Sequence, residues 1–199
     1  GYDGGTINAN TTWDVTDTCY YVIDDIFVGP GVTLSIQPGV VVKFDLYRKL
    51  VVDGTLRVLG TSGQPIYFTS IRDDTIGGDT NGDGGASTPH YANWRGLEFR
   101  DGSDDANSIL DYAIIRYAGY QNRGGVNLFS ASPTINNTTI SDGFLAIRAN
   151  LSSLPNLNNN IFIDNYLNAL GYDGGTINAN TTWDVTDTCY YVIDDIFVG

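Results

Sequence analysis

The stretch PTINNTTISDGFLAI at residues 133–147 is answered, 22 residues further on, by PNLNNNIFIDNYLNA at residues 155–169. Laid over one another, the two superpose Pro133 on Pro155, Ile135 on Leu157, Asn136 and Asn137 on Asn158 and Asn159, Ile140 on Phe162, Asp142 on Asp164 and Leu145 on Leu167. Short apolar runs bounded by Asn, Asp, Gly and Pro are the pattern of strands, and no helical period fits the same window. A residue that returns once per coil rests on its counterpart one coil away. The window therefore predicts two turns of a β-solenoid, with stacked Asn side chains bonding amide to amide along the stack.

Working outward, the same pattern covers the chain. Strands are predicted at 20–23, 26–28, 33–36, 40–44, 50–52, 55–59, 66–69, 97–99, 109–115, 126–129, 138–140 and 160–163. Val40, Val42 and Phe44 share one face and Val41 and Lys43 the other, while Leu97 and Phe99 oppose Glu98 and Arg100, which predicts a dry face and a wet one. The 24 glycines and the scarcity of helix-length periodicity place the chain in the all-β class. Trp13, Tyr20, Tyr21, Phe44, Trp94, Phe99, Tyr112, Tyr117 and Phe129 recur about once per coil, as an interior stack or a joint between units requires.

A second, longer period lies above the coil. The first 29 residues reappear without change at 171–199. Residues 1–170 are thus one complete unit, with its long loop at 71–93, and residues 171–199 open the next. Units of this kind cover the apolar ends of their neighbours. The opening segment is expected to lie on the last coil of the preceding unit, with Trp13, Cys19, Tyr20 and Tyr21 on one side of the joint and Ile161, Ile163, Leu167 and Leu170 on the other. Repeating one non-closing contact generates a fibre, so the expected partners are identical repeats or subunits, head to tail.

The segments GVTLSIQPGVVVKF (31–44), LVVDGTLRVLGT (50–61), PIYFTS (65–70), RDDTIGGDTNGDG (72–84) and NWRGLEF (93–99), with the two proline-led runs above, resemble the right-handed parallel β-helix repeats of large prokaryotic cell-surface and secreted proteins. The resemblance spans most of residues 20–170. It implies three strands per coil around an apolar interior and an extracellular or cell-surface location in a prokaryote. That family includes polysaccharide lyases and hydrolases, adhesins and structural stalks, so the resemblance speaks for fold more than for activity.

Charge narrows the partners. With 23 acids against 10 bases the net charge is −13, and the basic stripe that nucleic acid requires is absent. No run of 18 apolar residues predicts a membrane span, and a chain with no methionine and no leader reads as a segment of a longer one. Cys19 and Cys189 are the same position in successive copies. With coils about 4.8 Å apart they are expected on the order of 40 Å from one another, beyond the reach of a disulfide. A buried apolar thiol is expected, the rival being a cross-link between neighbouring fibres.

The loop at 71–93 interrupts the coils, and long loops in compact solenoids are usually functional. It contains Asp79-Thr80-Asn81-Gly82-Asp83-Gly84, the first half of a calcium loop, D-x-N-x-D-G. His90 stands where an EF-hand would place its bidentate Glu. A freestanding Ca2+ site is expected instead, built on Asp79, Asn81 and Asp83 and completed by the Gly85 carbonyl and by Asp73 or Asp74. His90 lacks partners for a zinc cluster or a triad. The adjacent acids Asp24/Asp25, Asp73/Asp74 and Asp104/Asp105 read as turn formers rather than catalytic pairs, and no lyase motif surrounds Arg72, Arg95, Arg100 or Arg116. Sequons at Asn10, Asn136, Asn137 and Asn150 would suit a secreted glycoprotein, although such triplets also arise by accident in a chain this rich in Asn and Thr. The function expected is a non-enzymatic structural repeat of an extracellular filament or stalk. The alternatives are an adhesin that binds glycans through the loop or an aromatic face, and a glycan-degrading enzyme.

Overall fold

A computed structural model describes residues 3–15, 19–184 and 188–199. Its strands, in chain order, are β1 (Gly5–Ile7), β2 (Thr11–Trp13), β3 (Tyr20–Val22), β4 (Ile26–Val28), β5 (Thr33–Ile36), β6 (Val41–Phe44), β7 (Lys49–Val52), β8 (Thr55–Leu59), β9 (Ile66–Ser70), β10 (Gly96–Phe99) and β11 (Ile109–Asp111). They continue as β12 (Ala113–Arg116), β13 (Gly124–Leu128), β14 (Thr134–Asn136), β15 (Thr139–Ser141), β16 (Leu145–Ala149), β17 (Asn156–Asn158), β18 (Ile161–Ile163), β19 (Leu167–Tyr172), β20 (Gly175–Ile177), β21 (Cys189–Val192) and β22 (Ile196–Val198). Every pairing between them is parallel, and the architecture is a β-solenoid. Among the described residues no helix is long and apolar enough to cross a membrane.

The coil has three faces, visited in turn. Face I stacks β1, β4, β7, β10, β13, β16, β19 and β21; face II stacks β2, β5, β8, β11, β14 and β17; face III stacks β3, β6, β9, β12, β15 and β18. The period of 22 holds in the register: Ile135 lies on Leu157, Ile140 on Phe162 and Leu145 on Leu167, until a bulge after Leu145 moves Ile147 onto Leu170. The interior is filled by the inward residues of all three faces, including Trp13, Leu34, Phe44, Phe68, Trp94 and Phe99, all fully buried. Phe44 and Trp94 stack with centroids 4.2 Å apart.

Asn and Asp recur every coil because the corners need them. Asn137 and Asn159 turn the chain from face II to face III at φ 47° and 55°, and Asp142 and Asp164 turn it from face III to face I at φ 55°. This left-handed region is one that Asn and Asp tolerate better than most residues. The Asn ladder differs from the amide-to-amide stack expected. Asn160 donates to the Ile135 carbonyl and Asn165 to the Ile140 carbonyl, each at 2.8 Å, so these side chains tie their coil to the backbone of the coil before.

Other expectations need correction. The strand predicted at 109–115 is two strands, broken at Tyr112, whose φ of 50° places a bulky residue where Asn stands in later coils. Strands β1, β2, β14, β16, β17 and β19 are not among the predicted ones: in the shortest of them one inward side chain, such as Ile135, carries the burial and leaves little period to read. The outer side is not uniformly wet. Lys43 is fully buried beneath the long loop, and Glu98 is 7% exposed between Lys49 and Arg100.

Candidate functional site

The long loop leaves face III after β9 and returns to face I at β10, and both feet are pinned. At the first, buried Asp73 accepts from Thr69 Oγ1 at 2.6 Å and from Thr75 Oγ1 and Arg116 Nη2 at 2.5 Å. The Arg116 guanidinium lies over the Tyr67 and Tyr117 rings. Burial, with Asp73 nearby, pushes the Tyr117 phenol up. At the second foot Asn93 Oδ1 accepts from Ser70 Oγ and from the His90 amide, each at 3.0 Å. Between the feet the loop folds back over the outer side of face III. The Lys43 ammonium donates to the Gly78 carbonyl, and Cys19 Sγ meets Thr80 Oγ1 at 3.1 Å. Gly77, at φ 68°, lies close against Val41, Lys43 and Cys19, where a side chain would crowd all three.

Within this loop Asp74, Asp79 and Asp83 bring one carboxylate oxygen each to within 4.8 Å of one another. The loop's own amides already face them. Asp79 accepts from the Asp83 and Gly84 amides at 3.2 and 2.8 Å. Asp83 accepts from the amides of Gly85, Ala86 and Ser87 at 2.9–3.0 Å and from the Ser87 hydroxyl. These donors, the Ser87 hydroxyl foremost, hold the Asp83 carboxyl below its ordinary range. Asp74 Oδ1 is buried and has no hydrogen-bond partner among the described residues. Converging carboxylates suit a hard cation, which takes oxygen ligands and offsets their mutual repulsion.

Of the residues expected to ligate, Asp79, Asp83 and Asp74 come together. Gly85 is adjacent, an added Cβ there lying 4.0 Å from Asp74 Oδ2. Asn81 turns its amide nitrogen toward Asp83 Oδ2 and Ser87 Oγ, so half a rotation of the amide would present its oxygen instead. Asp73 lies outside the group, its oxygens committed to the foot of the loop.

The second structural feature is the joint. The two 29-residue copies share one strand pairing, β1 with β4 as Gly5 on Ile26 and β20 with β22 as Gly175 on Ile196, while residues 181–183, the counterpart of β2, form no strand. Trp13 stacks on Tyr20 at 4.9 Å, and Trp183 on Tyr190 at 5.1 Å. Residues 1–2, 16–18 and 185–187 of these copies lie outside the described residues. The second copy docks through β21 on β19, with Ala169 on Cys189, Leu170 on Tyr190, Gly171 on Tyr191 and Tyr172 on Val192. Tyr172 anchors it. The side chain is 1% exposed, stacks on Trp183 at 4.7 Å and donates its hydroxyl to the Ser153 carbonyl at 2.9 Å. Burial, with Tyr190 adding to it, pushes its phenol up to about 12.

Of the residues expected at the joint, Leu167 and Leu170 belong to β19 and the counterparts of Trp13, Cys19, Tyr20 and Tyr21 belong to the docked copy. Ile161 and Ile163, on face III, are 55% and 48% exposed and pair with β15 alone among the strand pairings. Sequence reasoning reaches Trp183 through its counterpart Trp13 but misses Tyr172. The signal is present: the repeat opens on Gly-Tyr directly after the apolar Ala169-Leu170, so an alternating strand crosses the boundary.

The thiol differs from the expectation of a buried Cys. Cys19 is partly exposed beside Thr80, and Cys189 is exposed with Sγ 3.3 Å from the Asn168 carbonyl; neither forms a disulfide. Asn10 is exposed, whereas Asn136, Asn137 and Asn150 are half-buried. Asn137 donates to Asp111 and Asn150 to Ser130. His90 is exposed and its Nδ1 lies 2.9 Å from the Tyr91 carbonyl. With Tyr47, Arg72, Tyr91 and Tyr120 it lines an open cavity of about 380 Å³ at the second foot of the loop.

Comparison with known proteins adds a partial likeness. Over 74 residues, 37% of this chain, it is 35% identical to Protein bark beetle of Drosophila melanogaster. The match covers 2% of that protein's length. No family model and no solved structure matches the chain.

Proposed function

We propose that the chain is the structural repeat of an extracellular filament, fibre or stalk, in which 170-residue β-helical units follow one another along one solenoid. The observation that carries this reading is the β19–β21 pairing, through which a second copy of the opening segment adds a further coil to the end of the first unit. Backbone pairing of this kind is indifferent to side-chain identity and can be repeated without limit. The setting proposed is the prokaryotic cell surface, from the sequence resemblance. Ca2+ in the Asp74–Asp79–Asp83 loop would serve mechanics, offsetting part of the acid excess and stiffening a loop already strapped to Lys43 and Cys19. That same excess speaks against nucleic acid as a partner. Low-dose imaging of the native material tests the reading: a thread of uniform width supports it, and discrete compact particles refute it.

A second reading is favoured by the cavity at the foot of the loop, where Tyr47, Tyr91, Tyr120, Arg72 and His90 surround an open space. Aromatic faces beside a cation suit a sugar bearing a carboxylate, and such a site would make the stalk an adhesin. Binding of this chain on a glycan array, abolished by Arg72→Ala and Tyr120→Ala, would establish that reading. An array with no bound glycan would dismiss it.

A further inference from the structure

We infer that successive repeats are rotated against one another by one face of the coil, so that their acidic loops climb the filament along three rows and return to the same side every third repeat. This deepens the filament reading and rests on it. The argument starts from a count. The chain visits faces I, II and III in strict order, and from β1 to β19 one unit uses 19 strands, which is six complete coils and one strand more. A unit with a whole number of coils would return β1 of the next copy to face I. This one cannot.

The pairing at the joint agrees with the count. In the first copy β3 stacks on β6 in face III, with Tyr20 on Val42. Its identical counterpart β21 stacks on β19 in face I, with Tyr190 on Leu170. The strand that begins face III of the new unit therefore extends face I of the old one. The neighbouring strands agree: β20, counterpart of a face I strand, follows β19 after only Asp173 and Gly174 and lies beside Leu151, on the way from face I to face II. It pairs with β22 in a separate two-stranded sheet, so β19–β21 is the column of backbone pairing that runs through the joint. Because each copy keeps its own internal register, the offset belongs to the docking and not to a distortion of the segment.

The rotation has consequences for the surface. Each unit adds about 30 Å of length at about 4.8 Å per coil, so the same orientation recurs after about 90 Å. The loop lies on the outer side of face III, against Cys19 just before β3, and the counterpart Cys189 touches Asn168 of the preceding unit. Each loop thus covers the joint behind it, on face I of the earlier repeat. Arranged in three rows, the loops present the acidic site on all sides of the shaft.

The test uses the 199-residue chain with Cys19→Ser, so that Cys189 is the one native thiol. Ala169 lies directly opposite Cys189 in the rotated joint, whereas an unrotated joint would place β21 over β18, with Cys189 beside Asn160. On mild oxidation Ala169→Cys is expected to close an intramolecular disulfide on the order of tenfold more than Asn160→Cys, since only neighbours across a strand pair come within bonding reach. Closure by Asn160→Cys, or none by Ala169→Cys, overturns the inference. The unsubstituted chain answers independently through NMR cross-peaks between β19 and β21, and cross-peaks between β18 and β21 in their place overturn it. The two readings fail separately: closure at Asn160 in material that still forms threads removes the rotation alone, and closure at Ala169 in material that forms none removes the filament.

Discussion

Tyr172→Ala should release the second copy from the first unit and leave the rest of the solenoid intact. The Tyr172 side chain is buried, stacked against Trp183 and bonded through its hydroxyl to Ser153. Its carbonyl accepts from the Ile193 amide at 2.9 Å, which makes the docked coil a reporter of the loss. Removing a buried aromatic side chain costs about 3–5 kcal/mol. A loss of about 4 kcal/mol corresponds to roughly a thousandfold in an opening equilibrium. Amide exchange followed by NMR should then show protection at Tyr191 and Ile193, the amides that face β19, falling by about that factor, or to the unprotected level if the coil opens fully. Amides of β5 to β8, near the other end of the stack, should be unmoved, because a solenoid transmits stability between neighbours only. Tyr172→Phe keeps the stacking and removes one hydrogen bond, worth about 1 kcal/mol, so protection should fall only about fivefold. Unchanged protection at Tyr191 and Ile193 in Tyr172→Ala would refute the joint, and so would an equal loss throughout the chain.

Two further outcomes follow from the same geometry. Glu98 is buried, which alone would raise its carboxyl, but hydrogen bonds from Lys49 and Arg100 outweigh burial and hold it below the ordinary value of 4.5. A carboxylate lowered in the folded state contributes stability above its unfolded value and loses it as pH falls through the folded one. Urea midpoints measured from pH 7 downward should therefore decline below about pH 4.5, and Glu98→Gln should cost about 3 kcal/mol at pH 7 while flattening that decline; a decline of the same size in the variant would take Glu98 out of the explanation. If Ca2+ binds the Asp74–Asp79–Asp83 group, adding it should raise the melting temperature, a chelator should reverse the rise, and Asp83→Asn should abolish it; melting indifferent to Ca2+ would remove the ion from the account.

Much of the architecture was legible because the coil imposes a period on residues that have few other reasons to recur. Pro133 and Pro155, Asn137 and Asn159, and Asp142 and Asp164 mark corners, and left-handed corners select Asn and Asp wherever nothing else intervenes. Tyr112 and Tyr117 occupy equivalent corners at positive φ without that signature, which is why residues 109–115 read as one strand. The acidic loop was visible as a motif. What sequence alone could not supply was the fold-back of the loop onto face III, since it depends on Lys43 and Cys19 meeting Gly78 and Thr80 from coils distant in the chain. Asp73 and Asp74 were indistinguishable on paper, and Arg116 separates them by claiming the first. The joint was anticipated as a place, but its register required knowing that one unit ends a single strand past a whole coil.

The most direct measurement is of length. Completing the second repeat, by appending residues 30–170 after Gly199, adds the fifteen strands that follow β4 in the first unit, or five coils. Small-angle X-ray scattering should then find the particle longer by about 24 Å, at about 4.8 Å per coil, with its cross-section unchanged. A particle that thickens, or that scatters as two bodies joined by a flexible link, would contradict a continuous solenoid.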